Sequence, residues 1–184
     1  INFNGGVING NIKTAGYVSC GIYHPNKGTV NVTGGVINSS NGAGIVQRAG
    51  ELNVTGGTIN AKQKTEGITG KVGDSRIVVS ASAIVVDKEA NYPEVATLVT
   101  KISKKVVLNG EAKDIETIGS NINIELTGGV YSEEPAEDQI PKGYSAYKVI
   151  EGNNEDKYVV IKETELKNVT VDGIVEKNNL ESND

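Results

Sequence analysis

The chain has 184 residues, with 22% charged and 37% hydrophobic side chains, enough for one domain or slightly more with its own core. Aromatic residues make up only 4%, with one Phe and no Trp, which excludes a stacking platform for nucleic acid or long sugar chains. The net charge of −5 is uneven: residues 1–73 carry six basic and two acidic groups (+4), and residues 74–184 carry twelve and twenty-one (−9), so any polyanion contact is confined to the first part.

Ile1-Asn2-Phe3-Asn4-Gly5-Gly6-Val7-Ile8 opens the chain with a pattern that recurs as Thr29 to Ile37 and Glu51 to Ile59. In each copy apolar residues alternate with Asn and Thr, the period of a strand with one buried face. The Gly-Gly pair then permits a sharp bend. Ile77 to Ile84, Val106 to Gly110 and Ile124 to Tyr131 read as three further, looser copies. The first small residues of the six fall at 5, 34, 56, 81, 110 and 128, a period of about 25 residues, within the solenoid range.

A third element recurs as Cys20-Gly21-Ile22, Ala43-Gly44-Ile45 and Glu66-Gly67-Ile68. Three short strands per repeat describe a coil of a single-stranded parallel β-helix, expected right-handed, of about six coils. An antiparallel sandwich also has many short strands, but its strands need not resemble one another. Stacking predicts inward columns of Val30, Leu52 and Ile77, and of Phe3, Val32, Val54 and Val79. The outward columns, Asn2, Asn31, Asn53, Val78 and Asn4, Thr33, Thr55, Ser80, read as hydrogen-bonded ladders. The stretch from Lys88 to Ser103 reads as a short helix or long excursion, because Val95, Leu98, Val99 and Ile102 have helical spacing.

After Gly129 the pattern changes. Two β-rich runs, Tyr147 to Ile150 and Tyr158 to Ile161, flank the turn residues Gly152 to Asp156, which predicts a hairpin. An open solenoid end needs a polar cap. The expected division is a β-helix over 1–131, a hairpin cap over 132–163, and an extra strand (Lys167 to Val171) with a linker or tail over 164–184.

These repeats, closed by Gly-Gly-Val-Tyr-Ser-Glu-Glu-Pro and then Ile-Pro-Lys-Gly-Tyr-Ser-Ala-Tyr-Lys-Val, resemble β-helix modules of large secreted or cell-surface proteins of Gram-positive gut bacteria, similar in shape to pectate-lyase-type solenoids. The resemblance covers residues 1–162, with Tyr131 in place of the Phe of the closing motif. It implies an extracellular module, but fold does not carry activity. The chain has no Met and starts inside a repeat, which reads as a fragment of a longer protein.

Chemistry is sparse. Hydrolases on such a fold need carboxylates about 5–10 Å apart, and lyases need acidic Ca²⁺ ligands and a base, yet no column of acids recurs. His24, the only histidine, reads as an exposed turn residue with no zinc or triad partner. Cys20 reads as a small residue of the third column. Glu133, Glu134, Glu137 and Asp138 match no Ca²⁺ loop, and Asn31-Val32-Thr33, Asn53-Val54-Thr55 and Asn168-Val169-Thr170 read as strand chemistry rather than glycosylation sites. No catalytic, cofactor or metal residue is assigned, and no membrane-inserting segment or nucleic-acid surface.

The expected role is therefore a non-catalytic, monomeric spacer or adhesive module. The alternative is a polysaccharide lyase or glycoside hydrolase. The candidate ligand-binding residues are Lys13, Tyr17, Lys62 and Lys64, which fall between second and third strands and would converge on one side. An anionic glycan or wall polymer is the expected partner.

Overall fold

A computed structural model describes residues 1–11, 19–62, 80–89, 95–150, 152–165 and 175–176. The fold is all-β. Its strands are β1 (Asn2–Phe3), β2 (Val7–Gly10), β3 (Ser19–His24), β4 (Thr29–Ser39), β5 (Gly42–Gln47), β6 (Glu51–Ala61), β7 (Ile84–Asp87), β8 (Leu98–Gly110), β9 (Ile115–Ile118), β10 (Ile122–Tyr131), β11 (Tyr144–Val149), β12 (Tyr158–Lys162) and β13 (Val175–Glu176). Among the described residues helix is confined to two single 3₁₀ turns, Glu137–Gln139 and Glu163–Glu165.

Two parallel sheets carry the structure. In the first, β1 and β2 both pair with β4, and the order continues β6, β8, β10. In the second, the order is β3, β5, β7, β9. From β2 to β10 the chain alternates between the sheets, so one strand of each makes a rung. One apolar cluster holds side chains from both: Val30, Leu52, Ile102 and Leu126 from the first sheet, and Ile22, Ile45 and Ile84 from the second. The sheets thus share a core. β5 and β7 are buried on both faces.

The long strands β4 and β6 run through the Gly-Gly pair, and the register shifts there. Gly35 and Gly57 have φ of 86° and 98°, where an L side chain is strained. In β8 the same bend is made by Lys104 and Lys105, with Lys104 at φ 59° and Lys105 beside Gly56.

Inward columns form as the alternation requires, with two changes of membership. Leu52 faces Thr100, and Val54 faces Ile102. Ile77 and Val79 lie outside the described residues. Ile84–Asp87 form β7 of the second sheet, where Ile84 stands beside Ile45, so the fourth copy read at Ile77 to Ile84 is corrected. Among the described residues the first sheet takes five parallel passes of the chain rather than six. The helical reading of Leu98 to Ile102 is also corrected: these residues are β-strand, with Leu98, Thr100 and Ile102 all buried. A spacing of four satisfies both a helix face and every second residue of a strand; buried Thr100 between the two apolar residues is what decides it.

At the C-terminal side, β12 pairs antiparallel with β10 and with β11, and β11 pairs antiparallel with β13. The strand expected at Lys167 to Val171 lies outside the described residues.

Candidate functional site

The outer face of the first sheet is organised by asparagine. Asn31 donates its side-chain amide to Asn2 (2.8 Å), and Asn53 donates to Asn31 (3.1 Å). Thr33 Oγ1 donates to Asn4 Oδ1 (2.9 Å). Parallel pairing places like residues side by side, and a carboxamide is both donor and acceptor, so a column of asparagines can chain together. A second ladder has the same polarity: Asn38 to Asn9 (2.9 Å), Asn60 to Asn38 (2.8 Å) and Asn109 to Asn60 (2.8 Å). Lys157 Nζ donates to Asn109 Oδ1 at 2.9 Å and ends it. Sequence reasoning missed this second ladder. Its signal was the Asn following each second-strand Ile or Leu: Asn9, Asn38, Asn60, Asn109.

A buried polar group sits where β3, β5 and β7 end. The Arg48 and Asp87 side chains are fully buried and paired, Nε to Oδ2 at 2.8 Å. Arg48 also donates to the Tyr23 hydroxyl (3.2 Å) and lies 5.5 Å from the centroid of that ring. Gln47 accepts from Thr100 Oγ1 (2.5 Å) and donates to the Gly50 and Val99 carbonyls (2.9 and 3.0 Å). Both sets of bonds lie inside the fold, where buried polar groups are held by partners.

His24 is the last residue of β3 and is 5% exposed, so the reading of it as an exposed turn residue is corrected. Among the described residues its Nε2 has no hydrogen-bond partner, and burial holds its pKa below the ordinary value. Cys20 Sγ donates to the Ile22 carbonyl (2.8 Å), and burial pushes its pKa up to about 12, which leaves it a poor nucleophile.

Asp114 ties the rungs to the C-terminal segment. It is 2% exposed and accepts hydrogen bonds from the backbone N–H of Gly110 (3.0 Å), Ser132 and Glu133 (3.3 Å), and from the Ser132 hydroxyl (3.1 Å). Burial raises its pKa, with those donors acting in the opposite direction. An open cleft of about 650 Å³ in the C-terminal segment is lined by Glu134, Glu137, Lys142, Tyr144 and Glu163 among others.

Of the sequence-predicted ligand residues, Lys62 is exposed at the end of β6, its backbone fixed by bonds from Lys62 N–H to the Ser39 carbonyl and from Gly42 N–H to its own (both 3.0 Å). Lys13, Tyr17 and Lys64 lie outside the described residues, so the convergence of the four is not placed. Lys101, Lys104 and Lys105 on β8 are exposed cations that the sequence reading did not single out, because it set Gly110 rather than Lys104 and Lys105 against the glycine pair. Among the described residues no group of three or more His, Cys, Asp and Glu could hold a metal ion, and no helix is long and apolar enough to cross a membrane. Comparison with family models, with curated proteins and with solved structures gave no match for this chain.

Proposed function

We propose that the chain is a parallel, right-handed β-helix module of an extracellular or cell-surface protein, a non-catalytic rigid element whose polar face contacts glycan. The observation that carries the reading is the pair of asparagine ladders. Each carboxamide offers two donor hydrogens and two acceptor lone pairs. The ladder uses one hydrogen and one lone pair, which holds the group still and leaves the others for a ligand. Successive rungs repeat at about 4.8 Å, so the sheet presents a fixed array of identical polar groups, with little side-chain entropy left to lose on binding. The lysines on the same half, Lys13, Lys62 and Lys64 with Tyr17, would add attraction for an anionic glycan or wall polymer. The resemblance to surface modules of Gram-positive gut bacteria supports the location.

The test is a glycan array at low and high salt, with wild type, Asn31→Ala/Asn53→Ala, and Lys13→Glu/Lys62→Glu/Lys64→Glu. Salt-sensitive binding lost in the lysine variant and weakened in the asparagine variant is expected. Release of new reducing ends or unsaturated sugars from a polysaccharide panel would replace this reading with the lyase or hydrolase one.

A further inference from the structure

The two ends of the first sheet are built differently. At one end the last two residues of β10, Val130 and Tyr131, pair antiparallel with β12, and Lys157 closes the second asparagine ladder. At the other end, among the described residues, β1 and β2 pair only with β4, so their outer backbone groups form a sheet edge. Ile1 and Val7 are 72% and 62% exposed there, the two most exposed large hydrophobic residues among those described. Such an edge invites a further strand.

Two observations say what kind of strand. The first is ladder polarity. Each asparagine amide donates toward the rung before it: 53 to 31 to 2, and 60 to 38 to 9. Asn2 and Asn9 accept, and among the described residues neither has a preceding acceptor, so both ladders end at this edge on an amide whose donor is unused by the ladder. The second is empty space. A Cβ added to Gly34 would lie 2.9 Å from the Asn4 carbonyl oxygen, one on Gly56 would strike the Thr33 carbonyl oxygen, and one on Gly128 would lie 2.8 Å from the Lys104 carbonyl oxygen. In those rungs glycine is required because the preceding backbone occupies the place. Gly5 holds the corresponding position in the first rung, its φ is not in the left-handed region, and a Cβ there would meet nothing within 4 Å. Among the described residues Gly5 answers to no neighbour; it fits a backbone laid where the preceding rung would run.

We infer that the β1–β2 edge is a docking face for one more parallel rung, a bent strand of this chain's own pattern with asparagine at the positions beside Asn2 and Asn9. A second copy of the chain meeting edge to edge about a two-fold axis would run antiparallel and set amide donor against amide donor. The inference rests on the rung reading above and extends it to a partner.

The experiment adds the probe rung in register. Glu51 follows Gly50 as the residue before Leu52, and Leu52 is the counterpart of Ile1 through Val30. A copy of residues 29–51 is therefore joined directly ahead of Ile1. The readouts are amide exchange of residues 2–10 and the thermal midpoint, in the parent chain and the extended chain, each with and without Gly5→Val. Expected is slowing of exchange at residues 2–10 by at least about tenfold in the extended chain, with a raised midpoint. Gly5→Val should leave the parent midpoint unchanged and abolish both gains in the extended chain. Unchanged exchange on extension, gains that survive Gly5→Val, or an unextended chain that is a dimer protected at residues 2–10 would each overturn the inference. Glycan binding of the parent chain is measured separately, so failure here is distinguishable from failure of the proposed function.

Discussion

Thr100 offers a test in which repeat logic and hydrogen-bond logic disagree. It stands in an inward column between Leu52 and Ile124, and its own exposure is zero. Pattern alone says that Thr100→Val should help: the shape is kept and one more methyl is buried, a gain of about 0.8 kcal/mol. The structure says otherwise. The Thr100 hydroxyl is the donor to Gln47 Oε1, and Gln47 is itself fully buried. Removing it forfeits a hydrogen bond of about 1 kcal/mol and leaves a buried acceptor unsatisfied, at about 1–3 kcal/mol. The net expectation is a loss of about 1–3 kcal/mol. In urea, with a slope near 2–3 kcal/mol/M for a chain of this size, the midpoint should fall by about 0.3–1.5 M, and the thermal midpoint by about 2–4 °C per kcal/mol. The cycle is completed by Gln47→Leu and the double variant. Gln47→Leu should cost more, since the Gly50 and Val99 carbonyls also lose their donor. The two changes should be coupled by about 1–2 kcal/mol. A Thr100→Val chain as stable as wild type, or additive changes, would refute the argument.

Val54→Ala should cost about 1–3 kcal/mol, since Val54 is fully buried between Val32 and Ile102, and Val54→Asp should prevent folding; a soluble Asp variant with a cooperative urea transition would mean the register is wrong. His24 predicts acid sensitivity. Its folded pKa lies below the ordinary 6.5, so the unfolded chain takes up the proton first, and its contribution, present above pH 6.5, is lost as pH falls below it. Wild type should lose more stability than His24→Gln between pH 7 and 5; equal slopes in a pH series of urea midpoints would count against a buried neutral imidazole. Asp114, with a raised pKa, has the opposite sign near its own lower range: its contribution is fully present below pH 3.8 and lost as pH rises through its folded value.

How much of this was legible in the sequence depends on which copy is considered. Residues 1–59 announce themselves because identical neighbours demand identical residues: Asn31 and Asn53 match because they bond, and Gly34 and Gly56 match because a backbone runs against each. Past Ala61 the same geometry is met by different chemistry. Lys104 makes a bend that glycine makes elsewhere, and Thr100 fills an apolar column because Gln47 supplies a partner from the second sheet. Neither compensation is visible along the chain, since Gln47 and Thr100 are 53 residues apart. The candidate lysines were legible only as residue types between strands, whereas the second asparagine ladder was present in the sequence in four of the five passes and needed only the register to be noticed.

The spacing of the rungs also bears on how the chain reaches this structure. Val32 and Val54 pair across 22 residues, but Val54 and Ile102 pair across 48. Closing the longer loop costs about 0.7 kcal/mol more in chain entropy, and the apolar reward arrives only when β8 docks. Sheet growth from β4 and β6 therefore meets a kinetic step at β8, not at the chain ends. Residues before Ala61 and after Leu98 form two sets of contacts that can assemble on their own timescales and are joined at the β6–β8 pair and, through β7, in the second sheet. A slow refolding phase, if one is present, belongs to that junction rather than to either half.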